Sequence, residues 1–195
     1  MKKNISILLI VLCILVISTL ILSAEEVKYD FRKTNWGMGI EEIKKIEGAE
    51  SIGEEKGCLY YQGEVCGFDC CIVYSFVENR LTEANYVFKH THTNKNGYID
   101  DYGRLKEILI KKYGEPVKDK IIWENDVFKD SKQDWGTAIS VGYLWYGVYW
   151  ETPITEISMI LTGDNFKISL GILYRSQELK EWADKIKEEK VKDEL

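Results

Sequence analysis

No G-x-S-x-G nucleophile turn, no H-E-x-x-H helix and no glycine-rich phosphate loop occurs anywhere in the 195 residues. Histidine is nearly absent, with only His90 and His92, and no two cysteines have the C-x-x-C spacing of a zinc knuckle. These gaps remove the usual sequence routes to serine hydrolysis, zincin chemistry, nucleotide binding and cysteine-held structural zinc. Adjacent acids do occur, Glu41-Glu42 and Asp100-Asp101, but each pair opens a helical pattern. There a carboxylate favours the helix dipole without any catalytic role. Basic charge is also in deficit, with 26 Lys and Arg against 32 Asp and Glu. An acidic chain rich in tryptophan and tyrosine is a poor fit to nucleic acid or to anionic lipid heads.

What is present begins with an export pattern. Lys2 and Lys3 precede the uncharged run Ile5 to Ser23, and Leu22-Ser23-Ala24 places a small residue before Glu25. Residues 1–24 therefore read as a signal peptide. An uncleaved anchor is the alternative, because the run approaches the roughly 20 residues that span a bilayer. Residues 25–195 read as a single α+β domain, long enough to bury a core of its own. Without Lys2 and Lys3 the 26 basic residues fall to 24 against 32 acids, a net charge of −8. The expected location is extracytoplasmic: secreted, periplasmic or in the cell envelope. Contact with a membrane is expected only through the N-terminal segment, if that stays attached. Lys192-Asp-Glu-Leu195 would address the ER lumen in a eukaryotic source. It reads here as the end of a Lys- and Glu-rich helix.

Four cysteines follow the signal: Cys58, Cys66, Cys70 and Cys71. An even count outside the cytosol predicts at least one disulfide. Cys70 and Cys71 are neighbours and point to opposite faces of a strand, so Cys58 is expected to bridge to Cys66 or to one of that pair.

The strongest organisation lies between Ile139 and Tyr174. Three β-branched and aromatic runs, Ile139–Trp150, Thr155–Thr162 and Phe166–Tyr174, are separated by a Pro153 corner and a Gly163-Asp-Asn165 turn. Alternation makes Ile157, Met159, Ile168 and Leu170 core residues. The amphipathic helix Tyr98–Tyr113 is their expected cover. A helix after Trp36, strands at Leu59–Gln62, Phe68–Val77 and Leu81–Lys89, a strand at Ile121–Trp123 and a helix over Gln177–Lys190 complete the pattern. Val27–Phe31 adds a short strand at the front. The fold class is α+β, antiparallel sheet covered by helices, in the order α-βββ-α-ββββ-α. Ile72-Val-Tyr74-Ser75 echoes Ile172-Leu-Tyr174-Arg175, which points to two related halves.

Two clusters carry the functional expectations. Tyr143, Trp145, Tyr149 and Trp150 make one strand bulky on both sides, which means burial on both faces or an aromatic binding face. His90 and His92 lie two apart on an extended loop and face one way. With no third ligand in view, that loop is expected to be solvated, with no metal, cofactor or catalytic residue assigned.

Trp36-Gly-Met-Gly-Ile-Glu-Glu-Ile43, Asp100-Asp-Tyr-x-x-Leu-Lys-Glu-Ile-Leu109 and Lys112-Tyr-Gly-Glu-Pro116 together resemble a group of uncharacterised bacterial exported proteins. In that group a W-G-M segment and a short Glu-rich helix open the mature domain. Trp123-Glu-Asn-Asp126 and Asp164-Asn165 extend the resemblance over most of the mature chain. It implies a bacterial source and no particular activity. More loosely, the opening helix resembles small envelope lipoproteins that support outer-membrane assembly, though this chain lacks their lipid-attachment cysteine. The expected role is a non-catalytic interaction domain for another protein or a cell-envelope component. The alternative is a secreted hydrolase with a carboxylate site.

Overall fold

The computed structural model describes residues 28–193; the segment read as a signal peptide and the final Glu-Leu lie outside them. Sequence alternation becomes an eight-stranded sheet. Its strands are β1 (Gly53–Glu55), β2 (Cys58–Val65), β3 (Phe68–Val77), β4 (Arg80–Phe88), β5 (Lys118–Trp123), β6 (Leu144–Glu151), β7 (Thr155–Asp164) and β8 (Lys167–Ser176). Among the described residues four α-helices accompany them: α1 (Ile40–Glu47), α2 (Gly97–Tyr113), α3 (Trp135–Ser140) and α4 (Lys180–Asp193).

The hairpins are set by turn chemistry. Lys56-Gly57, Cys66-Gly67, Glu78-Asn79 and Asn165-Phe166 are two-residue loops with positive φ at both positions. That is the type I′ geometry whose twist matches the flanking strands. The last of these corrects the expected turn by one residue: Phe166 sits in the loop, 71% exposed, and β8 starts at Lys167.

Across the sheet the order is β1-β2-β3-β4-β8-β7-β6-β5, antiparallel throughout. It reads the same from either edge, and each four-strand meander follows a helix. The two halves join where β4 pairs with β8, from Glu83↔Arg175 to Val87↔Gly171.

One face of the sheet carries the core. Leu59 and Tyr61, Ile72 and Tyr74, Ile157 and Met159, Leu170 and Ile172 are buried there at every second position. Ile43 of α1, Tyr102, Leu105 and Leu109 of α2, and Ala138 and Ile139 of α3 close over them. The long amphipathic helix is thus the cover that its stripe predicts. Ile168, near the β7–β8 tip, is only half-buried.

Three local expectations are corrected. Val27–Phe31 is not a strand over its described part; Phe31 and Thr34 form a bridged turn with Arg32 at φ 52°. Ile139 does not begin β6. Trp135–Ser140 is a short helix, ended by Gly142 at φ 78°, and the strand starts at Leu144. A polar three-residue strand, β1, occupies what reads as a loop, giving four strands in the first half.

The expected disulfide is absent: Cys58, Cys66, Cys70 and Cys71 are all free. Register explains it. Cys58 opens β2 and Cys66 lies just past its other end, about 26 Å away at roughly 3.3 Å per residue. Cys58 pairs across with Ser75, while Cys70 and Cys71 sit opposite Gly63 and Gln62. Cys70 and Cys71 are adjacent but point to opposite faces of β3, and the register leaves Cys58 and Cys66 several residues from either, beyond the Cα separation of about 4.4–6.8 Å that a disulfide requires. The thiols differ in access. Cys66 is exposed in its turn, whereas Cys70 is fully buried and burial pushes its thiol up to about 11, against the opposing charge of Arg32. Maleimide labelling followed by peptide mapping is expected to modify Cys66 first and Cys70 only on unfolding. Equal labelling of the two in native protein would contradict this register.

Candidate functional site: the open face of the sheet

Among the described residues, the face opposite the core is covered at one end only. There α4 crosses from β7 over β8 and β4 to β3, burying Ala183 and stacking Trp182 under Arg80. Ion pairs hold it down. Arg175 joins Glu83 at 2.7 Å and Asp184 at 3.2 Å, Lys187 joins Glu83 at 3.1 Å, and Lys180 pairs with Glu156. Burial raises the Glu83 carboxyl, but hydrogen bonds from Arg175 and Lys187 outweigh it and hold the group below its usual range.

Beyond α4 the cross-strand pairs set out two rows. One runs Tyr60, Val73, Asn85, Leu173, Ser158, Tyr149 and Lys118; the next runs Gln62, Cys71, Val87, Gly171, Ile160, Gly147 and Lys120. Val87 is 44% exposed and Ile160 45%, which is high for aliphatic residues in the middle of a sheet. Between them Gly171 carries no side chain, leaving a hollow of about 250 Å³ at the join of the two halves.

The residues picked out by sequence divide. Trp145 and Tyr149 lie on this face. Trp145 folds back over Gly147, where a Cβ would come within 2.8 Å of its ring, and donates Nε1–H to Glu124 at 3.1 Å. Tyr149 lies beneath the Lys118 ammonium, 5.7 Å from its ring centre. Tyr143 precedes the strand and packs against Phe128. Trp150 drops out of the face: it is 1% exposed on the core side and donates Nε1–H to the Gly114 carbonyl at 2.8 Å. The four cysteines, expected as a bridge, contribute Cys58 and Cys71 to the open face as free thiols. Sequence reasoning missed Val87, Leu173 and Ile160. The available signal was apolar residues at the non-core positions of strands whose other face was already apolar.

No protein-family model matches the chain, and neither does any curated protein or solved structure.

A second feature lies on the core side of the sheet. A cavity of about 590 Å³ opens between the Lys28–Arg32 segment, the end of α2 and the β6–β7 corner. Tyr86, Tyr113 and Tyr174 face it with Arg32 and Lys112. Burial pushes Tyr86 up to about 12, with Arg32 working against it, and pushes Tyr174 well above its ordinary value. Arg32 is itself engaged, at 3.0 Å from Glu47. Among the described residues the lining includes one carboxylate, Asp30, and its Oδ2 already accepts the Trp36 amide at 2.8 Å.

A third feature could hold a metal. One donor atom from each of His90, His92 and Asp101 lies within 4.8 Å of the others.

Proposed function

We propose that this chain is an exported bacterial interaction domain that binds another envelope or secreted protein on the open face of its sheet. The observation that carries this reading is the apolar surface around Gly171, central to an otherwise well-folded face. Apolar ground of that kind, rimmed by charge, marks recognition sites. The sheet edges do not compete for the role. β1 is three residues long and acidic at Glu54 and Glu55, and β5 carries Lys118 and Lys120, both common devices against edge pairing.

The partner presents one aliphatic or aromatic side chain to the hollow and acidic groups towards Lys118 and Lys120. The hydrolase alternative calls for two acids converging on a cleft, and among the described residues the cavity of about 590 Å³ is lined by one carboxylate, Asp30.

A photo-crosslinking amino acid at Ile160 tests the proposal in the source cell, with the exposed Glu107 on α2 as control position. Ile160 and Val87 should trap one and the same protein that Glu107 does not. Binding of that protein, once purified, should fall at least tenfold in Ile160→Lys. Identical products from all three positions, or none from Ile160 and Val87, would reject the open face as the binding surface.

A further inference from the structure

We propose that His90, His92 and Asp101 form a binding site for a divalent transition metal, for which Zn²⁺ is the natural probe. His92 Nε2 lies 2.6 Å from Asp101 Oδ2, and a His90 nitrogen completes a set whose members are all within 4.8 Å. Two imidazoles and one carboxylate are ligands of the type zinc takes at about 2.0–2.2 Å in three-residue sites that keep a fourth position open. Tetrahedral donors at that range stand about 3.4 Å apart. A metal replacing the proton between His92 and Asp101 therefore needs only side-chain adjustments.

The surroundings hold these groups ready in ways a simple loop tether does not require. Asp101 is 5% exposed, and His92 is its one side-chain hydrogen-bond partner among the described residues. A buried carboxylate is costly unless a cation or donor meets it. His90 stacks on His92 with ring centres 4.6 Å apart and planes 12° from parallel. The second imidazole is thereby held beside the first. Tyr98 meets the His92 ring edge-on at 4.9 Å.

Gly97 completes the cradle: a Cβ there would come within 2.6 Å of the His92 ring. Helix α2 thus supplies the space, the aromatic wall and the carboxylate within its first five residues. The extended His90-Thr91-His92 segment supplies both imidazoles. His90 is exposed, so the fourth position opens to solvent and can take water or a ligand group.

The test is Zn²⁺ titration of the chelator-stripped full chain by calorimetry, with Co²⁺ absorption reporting the coordination geometry. The expected result is one equivalent bound, with a raised Tm. His90→Ala should weaken binding at least tenfold while leaving the metal-free Tm unchanged, since His90 is exposed. Asp101→Asn and Gly97→Ala should also weaken it. A chain with every cysteine replaced by serine should bind as the parent does. Loss of binding in that cysteine-free chain, or unchanged binding in His90→Ala, would overturn the proposal, as would failure of the parent to bind.

Discussion

Truncation of Trp150 to alanine should cost about 3–5 kcal/mol of stability, whereas Tyr149→Ala should cost about 1 kcal/mol or less. The two residues are adjacent in β6 and chemically similar, but the pleat sends them to opposite faces. Trp150 is one of the largest fully buried side chains in the structure. Its removal opens a cavity between β6 and the end of α2 that neighbours can only partly fill. It also strips the Gly114 carbonyl of its indole donor, at the point where α2 hands over to β5. A domain stable by about 5–15 kcal/mol would lose a large part of its margin. Urea denaturation of both variants decides the matter. Equal losses would mean that the open face is as tightly covered as the core, which would also remove the ground for a binding surface there.

Gly136→Ala should also be strongly damaging, at about 3 kcal/mol. A Cβ at this position would sit 2.3 Å from the carbonyl carbon of Lys95 and 2.5 Å from the amide of Asn96. Both obstacles are backbone, so no rotamer change relieves the clash. The close approach is held from both sides. Gly136 N–H donates to Asn96 Oδ1 at 2.6 Å, and Asn96 Nδ2–H donates to the Lys132 carbonyl at 3.0 Å. Asn96 also precedes α2, so the clamp ties the charged excursion after β5 to the start of that helix. Thermal unfolding should show the loss directly. Gly103→Ala is the control, since a Cβ there meets nothing within 4 Å and alanine suits a helix interior better. If Gly136→Ala matched that control, the packing of α3 against the start of α2 would be wrong.

These two sites also show what the sequence could and could not carry. Alternation alone located most of the strands, and the stripe Tyr102, Leu105 and Leu109 correctly named the helix that covers the sheet. Period-two and helical patterns survive in the sequence because burial selects every second or every third to fourth residue. The short α3 left no such trace. Gly136 is small because the backbone of Lys95 and Asn96 lies close, and small residues alternating with Thr137 and Ile139 look like any β-branched run. β1 was hidden by its polarity, since an edge strand of three residues has no core face to declare.

The disulfide expectation failed for a different reason. Cysteine number and compartment say nothing about register, and a single uninterrupted strand separates Cys58 from Cys66. Of the metal cluster, His90 and His92 were legible as a pair. Asp101 was visible only as an acid near a helix start. Its burial against His92 depends on how the 89–96 loop lies over α2, which no local pattern records.

The seam between β4 and β8 has a consequence for assembly. Within each half every strand pairs with a neighbour close in the chain, so both meanders can form from local contacts. The seam alone joins strands about ninety positions apart, such as Glu83 to Arg175. It is therefore the slow closure, made after two edges have already been built and while both are bare. A nascent chain holding β4 open next to a second copy holding β8 open faces the same pairing with a different owner. A high local concentration of nascent chains would then favour strand-exchanged dimers with the native sheet intact, formed through Glu83–Val87 of one molecule and Gly171–Arg175 of another.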